Sequence, residues 1–327
     1  MAKSSAAKRR TAPSKAPTRA PAKGGRPAGR APARSGRPAG LFTWIAVGLV
    51  VVVVAALVII KVASGGSTNT PTASTFQPVD PGVMTELTTI PASVFNTVGI
   101  TSPIAGVDPP QAVANQPALT ATNSAGVTVP EVLYMGAEYC PYCAAQRWTT
   151  IIALSRFGTW SGLGNMSSYA HDLYPNTPSF TFVKAKFKSK YLVFKSVEEY
   201  TNYLNKAGTY YAKLQTPTSA EVALITKYDQ PKYIKGLAAS EAESIPFIDF
   251  GNQFLDAGAS YSPSTLTGST RDEIAGALSN ASSPITDAII TSANYQTAAL
   301  CKLTKNQPGD VCMSSGVRTA AKAMGIK

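Results

Sequence analysis

The sequence predicts an α/β domain with a central sheet and flanking helices, preceded by one transmembrane helix. Three observations support this prediction. Residues 41–60 are an uninterrupted apolar run, "LFTWIAVGLVVVVVAALVII". From Val129 a β-branched and aromatic strand pattern, "VPEVLYMGAEY", changes at Cys140 to helical spacing in "CPYCAAQRWTTIIALSRFGTW". A short strand pair, "SIPFIDFGNQFLDAG", and a helix with clear start signals follow.

The positive charge of the chain is concentrated at its N-terminus. Residues 1–40 contain eleven of the 30 Lys and Arg and no Asp or Glu, so the formal net charge of +12 belongs almost entirely to this segment. Its Ala, Pro and Gly content favours disorder. We expect the segment to contact anionic lipid headgroups. Nucleic acid is a weaker alternative partner, because the segment has no aromatic residues for base stacking.

The apolar run predicts the topology of the chain. Its 20 residues match the roughly 20 needed to cross about 30 Å of hydrocarbon. The basic residues before the run, with only Lys61 directly after it, place the N-terminus in the cytoplasm. A cleaved signal peptide is disfavoured, because the run is too long and no small-residue cleavage site precedes Lys61. We therefore expect a single-pass protein of the cell membrane, with a linker at 61–82 and an extracytoplasmic domain at 83–327.

The remaining elements of the domain are predicted from shorter patterns. Residues 83–130 suggest an edge strand or a small helix, and "SFTFVKAKFKSKYLVFKS" one strand or a hairpin. The segments "VEEYTNYLNKAG" and "SAEVALITKYDQ" are predicted to be helical. In "STRDEIAGALSNA", Ser269 or Thr270 is the expected N-cap of a helix. Residues 284–327 are predicted to form two helical pieces that each contribute one cysteine.

The chemistry-bearing motif is Cys140-Pro141-Tyr142-Cys143. Pro141 suits the first helical position, so Cys140 lies where a strand ends and a helix begins. The first-turn amides and the helix dipole stabilise a thiolate there, and the thiolate is the attacking species in disulfide exchange. Cys143, one turn later, is placed to attack a mixed disulfide formed at Cys140. This pattern predicts a redox-active dithiol.

Three other interpretations of the motif stay open at this stage. A structural disulfide between Cys140 and Cys143 would close only a very small loop and stabilise little. A zinc site would need Cys301 and Cys312 as further ligands, and the chain has one histidine to assist. An inactive domain could also retain both cysteines. Two charges near the motif, Glu138 and Arg147, have opposite expected effects on Cys140, and both are predicted to be solvated surface residues.

The segment "EVLYMGAEYCPYCAAQRW" resembles the active-site strand and helix of the thioredoxin superfamily, with the Pro-Tyr dipeptide of glutaredoxins. Together with "TPSFTF", "SKYLVF" and "PFIDFGNQF", it is more closely similar to a membrane-anchored thioredoxin-like family known as domain of unknown function 929. The resemblance covers roughly residues 84–315. It implies a thioredoxin-like central sheet with an inserted strand and helix region, since 102 residues separate Cys143 from Pro246.

The resemblance also implies a substrate contact beside the dithiol. It places Ile245-Pro246 at the position of a cis-proline loop, which would present the Ile245 backbone to a substrate strand. The sequence alone favours a trans proline on an edge strand, whereas the resemblance favours the cis form. Tyr139 and Tyr142, which lie on either side of Cys140 in the sequence, are the other predicted substrate contacts.

Residues outside the motif receive structural interpretations. Cys301 and Cys312 flank a Gln-Pro-Gly-Asp turn, which in an oxidising compartment indicates a structural disulfide; a second exchanging dithiol is the alternative. His171, the only histidine, is predicted to be a surface or capping residue. The tyrosine-rich stretch 191–211 suggests core and amphipathic helix, with a peptide-binding surface as the alternative.

These features together predict a thiol–disulfide oxidoreductase without a cofactor or a metal. Cys140 is the predicted nucleophile, Cys143 the resolving thiol, and Ile245-Pro246 the clamp for a substrate strand. The expected partners are membrane lipid, extracytoplasmic proteins with thiols or disulfides, and an unknown redox partner protein. Two alternatives are a non-catalytic envelope binding or assembly module on the same fold, and a carrier for metal or cofactor maturation. The direction of the reaction does not follow from the sequence.

Overall fold

The structure is a computed structural model that describes residues 76–100 and 106–327. The predicted basic tail at 1–40 and the predicted membrane span at 41–60 lie outside the described residues, as does most of the predicted linker. Within the described ranges, every helix is too short or too polar to cross a bilayer. The first strand, Gln77–Pro78, falls within the segment predicted as the linker.

Helices and strands are grouped along the described chain, with seven consecutive strands after α3 and only helices after β13. The described residues form eight α-helices: α1 (Pro81–Thr88), α2 (Ala92–Val98), α3 (Pro141–Ser155), α4 (Ser219–Tyr228), α5 (Arg271–Ala277), α6 (Pro284–Leu303), α7 (Gly309–Cys312) and α8 (Ser315–Ala323). They also form thirteen strands: β1 (Gln77–Pro78), β2 (Gln111–Ala112), β3 (Thr120–Thr122), β4 (Thr128–Gly136), β5 (Thr159–Ser161), β6 (Gly164–Ser167), β7 (Pro178–Thr181), β8 (Lys186–Lys188), β9 (Val193–Glu198), β10 (Tyr200–Leu204), β11 (Tyr211–Lys213), β12 (Phe247–Phe250) and β13 (Phe254–Ala257). Short 3₁₀ turns occur at Ala239–Glu241 and Pro263–Leu266.

A mixed six-stranded sheet lies at the centre of the domain. Its main path runs in the order β2, β13, β12, β4 and β3, and β9 pairs with β4 in parallel. Strand β4 is buried along most of its length, as its run of Val, Leu, Tyr and Met predicts. The predicted mixed α/β architecture, with a central sheet and flanking helices, is therefore confirmed.

Helix α3 follows β4 after a short loop and has the largest buried fraction of the helices in the described residues. Thirteen of its 15 residues are buried. Two of its backbone carbonyls also accept hydrogen bonds from side chains: Ser179 Oγ donates to Ala144 O at 2.8 Å, and Tyr261 Oη donates to Ala145 O at 2.8 Å. Trp148 donates from Nε1 to Pro178 O at 2.9 Å. These contacts fix the position of the helix that begins at the cysteine pair.

A buried carboxylate connects α3 to the sheet and to α6. Asp256 Oδ2, on β13, accepts hydrogen bonds from Gln146 Nε2 of α3 at 3.0 Å and from Gln296 Nε2 of α6 at 2.9 Å. All three side chains are almost completely buried. Burial raises the pKa of Asp256 to about 7, although the bonds from the two glutamine amides act in the opposite direction.

Several local predictions are confirmed. Residues 247–257 form the expected hairpin; residues 251–253 connect the paired Phe250 and Phe254, and Gly251 and Asn252 have positive φ, at 66° and 57°. The helix α4 is also found. Helix α5 begins after Thr270, which forms a capping box with Glu273.

Other local predictions are wrong. The segment 197–208 was predicted to be helical, but it contains the end of β9 and the strand β10, which pairs with β11 as a hairpin. Residues 179–196 form parts of three strands with three different partners and no hairpin among themselves. The described part of 83–130 contains small helices, α1 and α2, as well as short strands at the sheet edges, β2 and β3, so the prediction of one such element is confirmed only in part; residues 284–327 contain three helices instead of two. In 179–208, pairing with other strands overrode the local pattern.

We predict that Asp256 makes the stability of the domain pH-dependent. Its folded pKa of about 7 lies above its unfolded value of about 3.9, so its contribution is fully present below pH 4 and is lost as the pH rises through 7. A tenfold change in proton affinity is worth about 1.4 kcal/mol, so Asp256→Asn should reduce the fall in unfolding free energy between pH 4 and 8 by a few kcal/mol. Urea unfolding at several pH values measures this.

The exposed Asp310, at the start of α7, provides the matched control. Asp310→Asn should leave the pH profile of the unfolding free energy close to that of the wild type. If Asp256→Asn and Asp310→Asn give the same profile, the buried carboxylate does not have the role assigned to it.

Candidate functional site

Cys140 lies at the junction that the sequence predicts. It is the N-cap residue of α3, with φ −76° and ψ 122°, and Pro141 occupies the first helical turn. The backbone N–H of Cys143 donates to Cys140 Sγ at 3.3 Å. A cysteine sulfur thus takes the place of the usual Ser or Asp cap oxygen, so a negative charge on it would face the free amides of the helix.

The surroundings of the two thiols shift their pKa values in opposite directions. A hydrogen bond from the Cys143 thiol lowers the pKa of Cys140; burial opposes this effect, while the Cys143 backbone N–H and the charge of Arg147 add to it. Cys143 is fully buried, and burial raises its pKa well above its usual range. Cys140 retains 6% exposure. The geometry therefore makes Cys140 the more acidic and more accessible thiol of the pair.

The predicted clamp residues lie beside Cys140. Cys140 Sγ donates to Ile245 O at 3.9 Å, and the Ile245–Pro246 peptide bond is cis. Pro246 immediately precedes β12, and its carbonyl accepts from Gly258 N at 2.8 Å. Ile245 is partly exposed, so its backbone is accessible next to the sulfur.

The two charges near the motif are buried, so their prediction as solvated surface residues is wrong. Arg147 is completely buried and forms a two-pronged ion pair with Glu198, with Nε to Oε1 at 2.9 Å and Nη2 to Oε2 at 2.6 Å. Glu138 is 8% exposed. Burial raises the pKa of Glu138 to about 7; a hydrogen bond with Thr181 opposes this, and the negative charge of Glu198 adds to it.

Glu198 was missed by the sequence reasoning. It ends β9, a strand that pairs in parallel with β4, and Glu198 itself lies opposite Gly136. The sequence pattern predicts a helix for the segment 197–208, in which Glu198 is the second residue. Only its position in "VEEY", at the end of an apolar strand pattern, could have indicated a functional placement.

An aromatic cleft, here called the tyrosine cleft, adjoins Cys140. It has a volume of about 560 Å³ and is lined by Tyr139, Tyr200, Leu204, Thr209, Tyr210 and Tyr211. Tyr139 stacks on Tyr211 with ring centroids 3.9 Å apart and an interplanar angle of 2°. The prediction that residues 191–211 form core and amphipathic helix is therefore wrong for the part that lines this cleft.

Tyr139 and Tyr142 belong to different surroundings. Tyr139 is held in the tyrosine cleft, whereas Tyr142 is 41% exposed and contacts Tyr174 edge to face at a centroid distance of 5.9 Å. The sequence indicated Tyr139 and Tyr142 because they adjoin Cys140. Tyr200 and Tyr211 belong to the stretch 191–211, for which a peptide-binding surface is only the alternative prediction, and the β10–β11 hairpin brings them beside Tyr139 from a distant part of the chain.

The second cysteine pair forms a disulfide. Cys301 in α6 and Cys312 in α7 are joined, with their Cα atoms 5.6 Å apart, so the pairing predicted from the sequence is present. With both sulfurs bonded to each other, a four-cysteine zinc site is not formed. His171 is exposed, and its ring contacts that of Tyr169. Among the described residues, no three His, Cys, Asp or Glu side chains are grouped to hold a metal ion.

Fold and site together define a mixed α/β domain with a buried cysteine pair at the start of its central helix. The family model described as "Domain of unknown function (DUF929)" matches residues 116–302. The chain therefore belongs to this family, over a range narrower than the roughly 84–315 expected from the resemblance. Neither the curated proteins nor the solved structures gave a match to the chain.

We predict that the two thiols are distinguished by alkylation. In the reduced full-length protein in detergent, Cys140 should react with iodoacetamide with an apparent pKa below the ordinary value of about 8.5, while Cys143 should react only after unfolding. Cys143→Ala should raise the pKa of Cys140, because it removes the thiol donor. Mass spectrometry of samples alkylated at increasing pH measures both quantities.

Cys143→Ser is the matched control, since it keeps a hydroxyl donor and the backbone N–H. Its Cys140 pKa should lie closer to that of the wild type than the pKa in Cys143→Ala. An ordinary Cys140 pKa in the wild type would contradict the assignment of Cys140 as the activated thiol.

Proposed function

We propose that this protein is a membrane-anchored, extracytoplasmic thiol–disulfide oxidoreductase with a thioredoxin-like domain. The observation that carries the proposal is the position of Cys140, whose sulfur caps α3 and accepts the N–H of Cys143. A thiolate at that position is stabilised by the helix start, and a second thiol lies one turn away. Such a pair is suited to form and then resolve a mixed disulfide.

The reaction balances through the two cysteines alone. The Cys140 thiolate attacks one sulfur of a substrate disulfide, which forms a mixed disulfide and releases the other substrate sulfur as a thiolate that takes up a proton. Cys143 then loses its proton and attacks Cys140 Sγ; the bond to the substrate breaks, and the second substrate thiolate leaves. The substrate gains two electrons, and Cys140 and Cys143 become a disulfide.

The reverse sequence oxidises a substrate dithiol. In either direction a second thiol–disulfide protein must restore the pair by accepting or donating two electrons. The relative stability of the dithiol and the disulfide sets the direction of net transfer.

The surroundings of Cys140 support a polypeptide substrate. The Ile245 carbonyl, 3.9 Å from Cys140 Sγ, belongs to a partly exposed segment before a strand. A substrate strand could therefore form backbone hydrogen bonds there while its sulfur reaches Cys140. The tyrosine cleft on the side of Tyr139 would receive an apolar or aromatic side chain near the substrate cysteine.

The proposal also includes a thioredoxin-like fold and an extracytoplasmic location, and each is supported by observations other than the position of Cys140. A strand leads directly into the helix that begins at the cysteine pair, and Pro246 precedes a strand antiparallel to β4. The charge pattern around residues 41–60 supports a cytoplasmic N-terminus. The Cys301–Cys312 disulfide is typical of an oxidising compartment outside the cytoplasm.

We predict that the two cysteines fail in different ways when substituted. Cys140→Ala should abolish insulin reduction and reactivation of scrambled ribonuclease by the full-length protein in detergent. Cys143→Ala should retain attack but lose resolution, and should therefore accumulate mixed disulfides that are visible on non-reducing gels. Unchanged activity of Cys140→Ala would show that the proposal is wrong.

We further predict that the tyrosine cleft contributes to substrate affinity. Tyr211→Ala removes the ring stacked on Tyr139 and with it one aromatic surface of the cleft. An aromatic contact contributes about 0.5–1.5 kcal/mol, so the KM for a cysteine peptide with an adjacent aromatic residue should rise roughly twofold to twelvefold. The pKa of Cys140 should change little. Tyr233→Ala, in a ring pair with Tyr228 on another element, serves as the control.

One observation favours a non-catalytic binding or assembly module on the same fold. Cys140 is only 6% exposed, so a substrate sulfur has little open surface to approach. A module of this kind would function without its thiols. Full complementation in cells by the Cys140→Ser, Cys143→Ser double variant would support this alternative, and loss of complementation would support the oxidoreductase.

A further inference from the structure

A buried ion pair lies beneath the cysteine pair. The Cys-Pro-Tyr-Cys motif alone does not predict it. Arg147 and Glu198 are both completely buried, and two parallel hydrogen bonds hold the guanidinium against the carboxylate. Burying two charges is costly in free energy, and an apolar pair of similar size often stabilises a fold equally well. Stability alone therefore does not explain why this site has two buried charges.

Arg147 is tied to the dithiol through the backbone as well as through the helix. It lies four residues after Cys143 in α3, so the two side chains leave the same face of the helix. Its Nη2 donates to Ala137 O at 2.8 Å, and the same carbonyl accepts from Cys140 N at 3.3 Å. The guanidinium thus has a fixed position relative to both sulfurs.

One side of the guanidinium has no protein partner. Within the described residues, Arg147 Nη1 and Tyr134 Oη are both buried without a hydrogen-bond partner. The guanidinium lies 5.8 Å from the centre of the Tyr134 ring, and the Tyr134 hydroxyl is packed so tightly against Gly136 that a Cβ atom there would overlap it. The donors on Arg147 Nη1 are therefore not bound to any described group of the protein.

We propose that Arg147, held in place by Glu198, is a positioning residue that stabilises the thiolate forms of Cys140 and Cys143 and so favours the dithiol over the disulfide. This inference rests on the proposed thiol–disulfide exchange. Arg147 stays protonated throughout and transfers no proton. During resolution Cys143 loses its proton, and its sulfur attacks Cys140 Sγ while the substrate leaves as a thiolate; Arg147 offsets the negative charge that develops on Cys143.

Glu198 limits the same effect. Its carboxylate partly cancels the positive charge of Arg147 at the two sulfurs, so Arg147 and Glu198 act on the dithiol with opposite signs. The charges and dipoles that face Arg147 and Glu198 from other elements are Glu138 and the Ala137 carbonyl from the β4–α3 loop, Tyr134 from β4, and the Phe182 N–H, which donates to Glu198 Oε1 at 3.3 Å. The opposite signs distinguish an electrostatic role from a structural one, since loss of either partner would disturb packing in the same direction.

The test compares Arg147→Met with Glu198→Gln in the full-length protein in detergent. For each variant the Cys140 pKa is measured by alkylation, and the dithiol–disulfide equilibrium is measured against glutathione. Arg147→Met should raise the Cys140 pKa and shift the equilibrium toward the disulfide by about tenfold or more, whereas Glu198→Gln should lower the pKa and shift the equilibrium toward the dithiol by a similar factor.

A second ion pair, which joins β9 to its parallel neighbour β4, supplies the controls. Lys195 on β9 bonds to Glu131 on β4, with Nζ to Oε2 at 2.9 Å, near the other end of the paired segment from the cysteines. Lys195→Met and Glu131→Gln should change neither the Cys140 pKa nor the glutathione equilibrium. Arg147→Lys, which keeps the charge but not the two-pronged bond, should restore the pKa in part.

The outcomes separate this inference from the proposed function. Shifts of the same sign in Arg147→Met and Glu198→Gln, or shifts equal to those of the controls, would overturn the role of Arg147 even if the wild type exchanges disulfides. If Arg147→Met does not fold, the comparison of Glu198→Gln with Glu131→Gln decides. A Cys140 pKa that is lowered in Glu198→Gln but not in Glu131→Gln supports the inference. The same Cys140 pKa in both variants rejects it. A wild type with no exchange activity and an ordinary Cys140 pKa would reject the proposed function itself.

Discussion

The near-complete burial of α3 is the constraint on which the rest of the domain depends. A helix enclosed on all sides can find partners for its polar side chains only inside the protein, and two of α3's have distant ones: Gln146 bonds to Asp256, and Arg147 bonds to Glu198 while its Nη1 stays without a partner among the described residues. Of its first turn, only Tyr142 is exposed. Because these contacts fix the axis and the rotation of the helix, they also fix the N-terminal end at which Cys140 lies.

A fixed helix start gives the two cysteines different environments. Cys140 Sγ replaces a cap oxygen and points toward free amides, while Cys143 is enclosed on the inner side of the same turn. The sulfur that is easier to ionise is thereby also the sulfur that is nearer to the surface. No rearrangement of the backbone is needed to produce this difference, which is the form of pre-organisation expected of a reactive site.

The long segment between Cys143 and Pro246 is part of the site. It contributes β9, whose last residue Glu198 lies beneath the dithiol, and the β10–β11 hairpin, whose Tyr200 and Tyr211 line the cleft beside it. The backbone also joins these parts: Glu138 N donates to Tyr200 O at 2.9 Å, and Tyr169 N donates to Tyr139 O at 2.9 Å. The loop that leads into the helix is therefore held by segments that follow it in the chain, which connects the electrostatics of the sulfurs to the shape of the adjacent surface.

The sequence by itself determined the features that depend on a few neighbouring residues. The strand-to-helix change at Cys140, the hairpin around Gly251 and Asn252, the cap at Thr270 and the Cys301–Cys312 pairing all arise from local backbone preferences or short loops. Only the tertiary structure decided that Arg147 and Glu138 are buried, that Arg147 pairs with a residue 51 positions away, and that Tyr200 and Tyr211 lie on strands. A side chain's burial and partners depend on which distant strands pair and in which register, and hydrophobic periodicity within one segment contains no information about that choice.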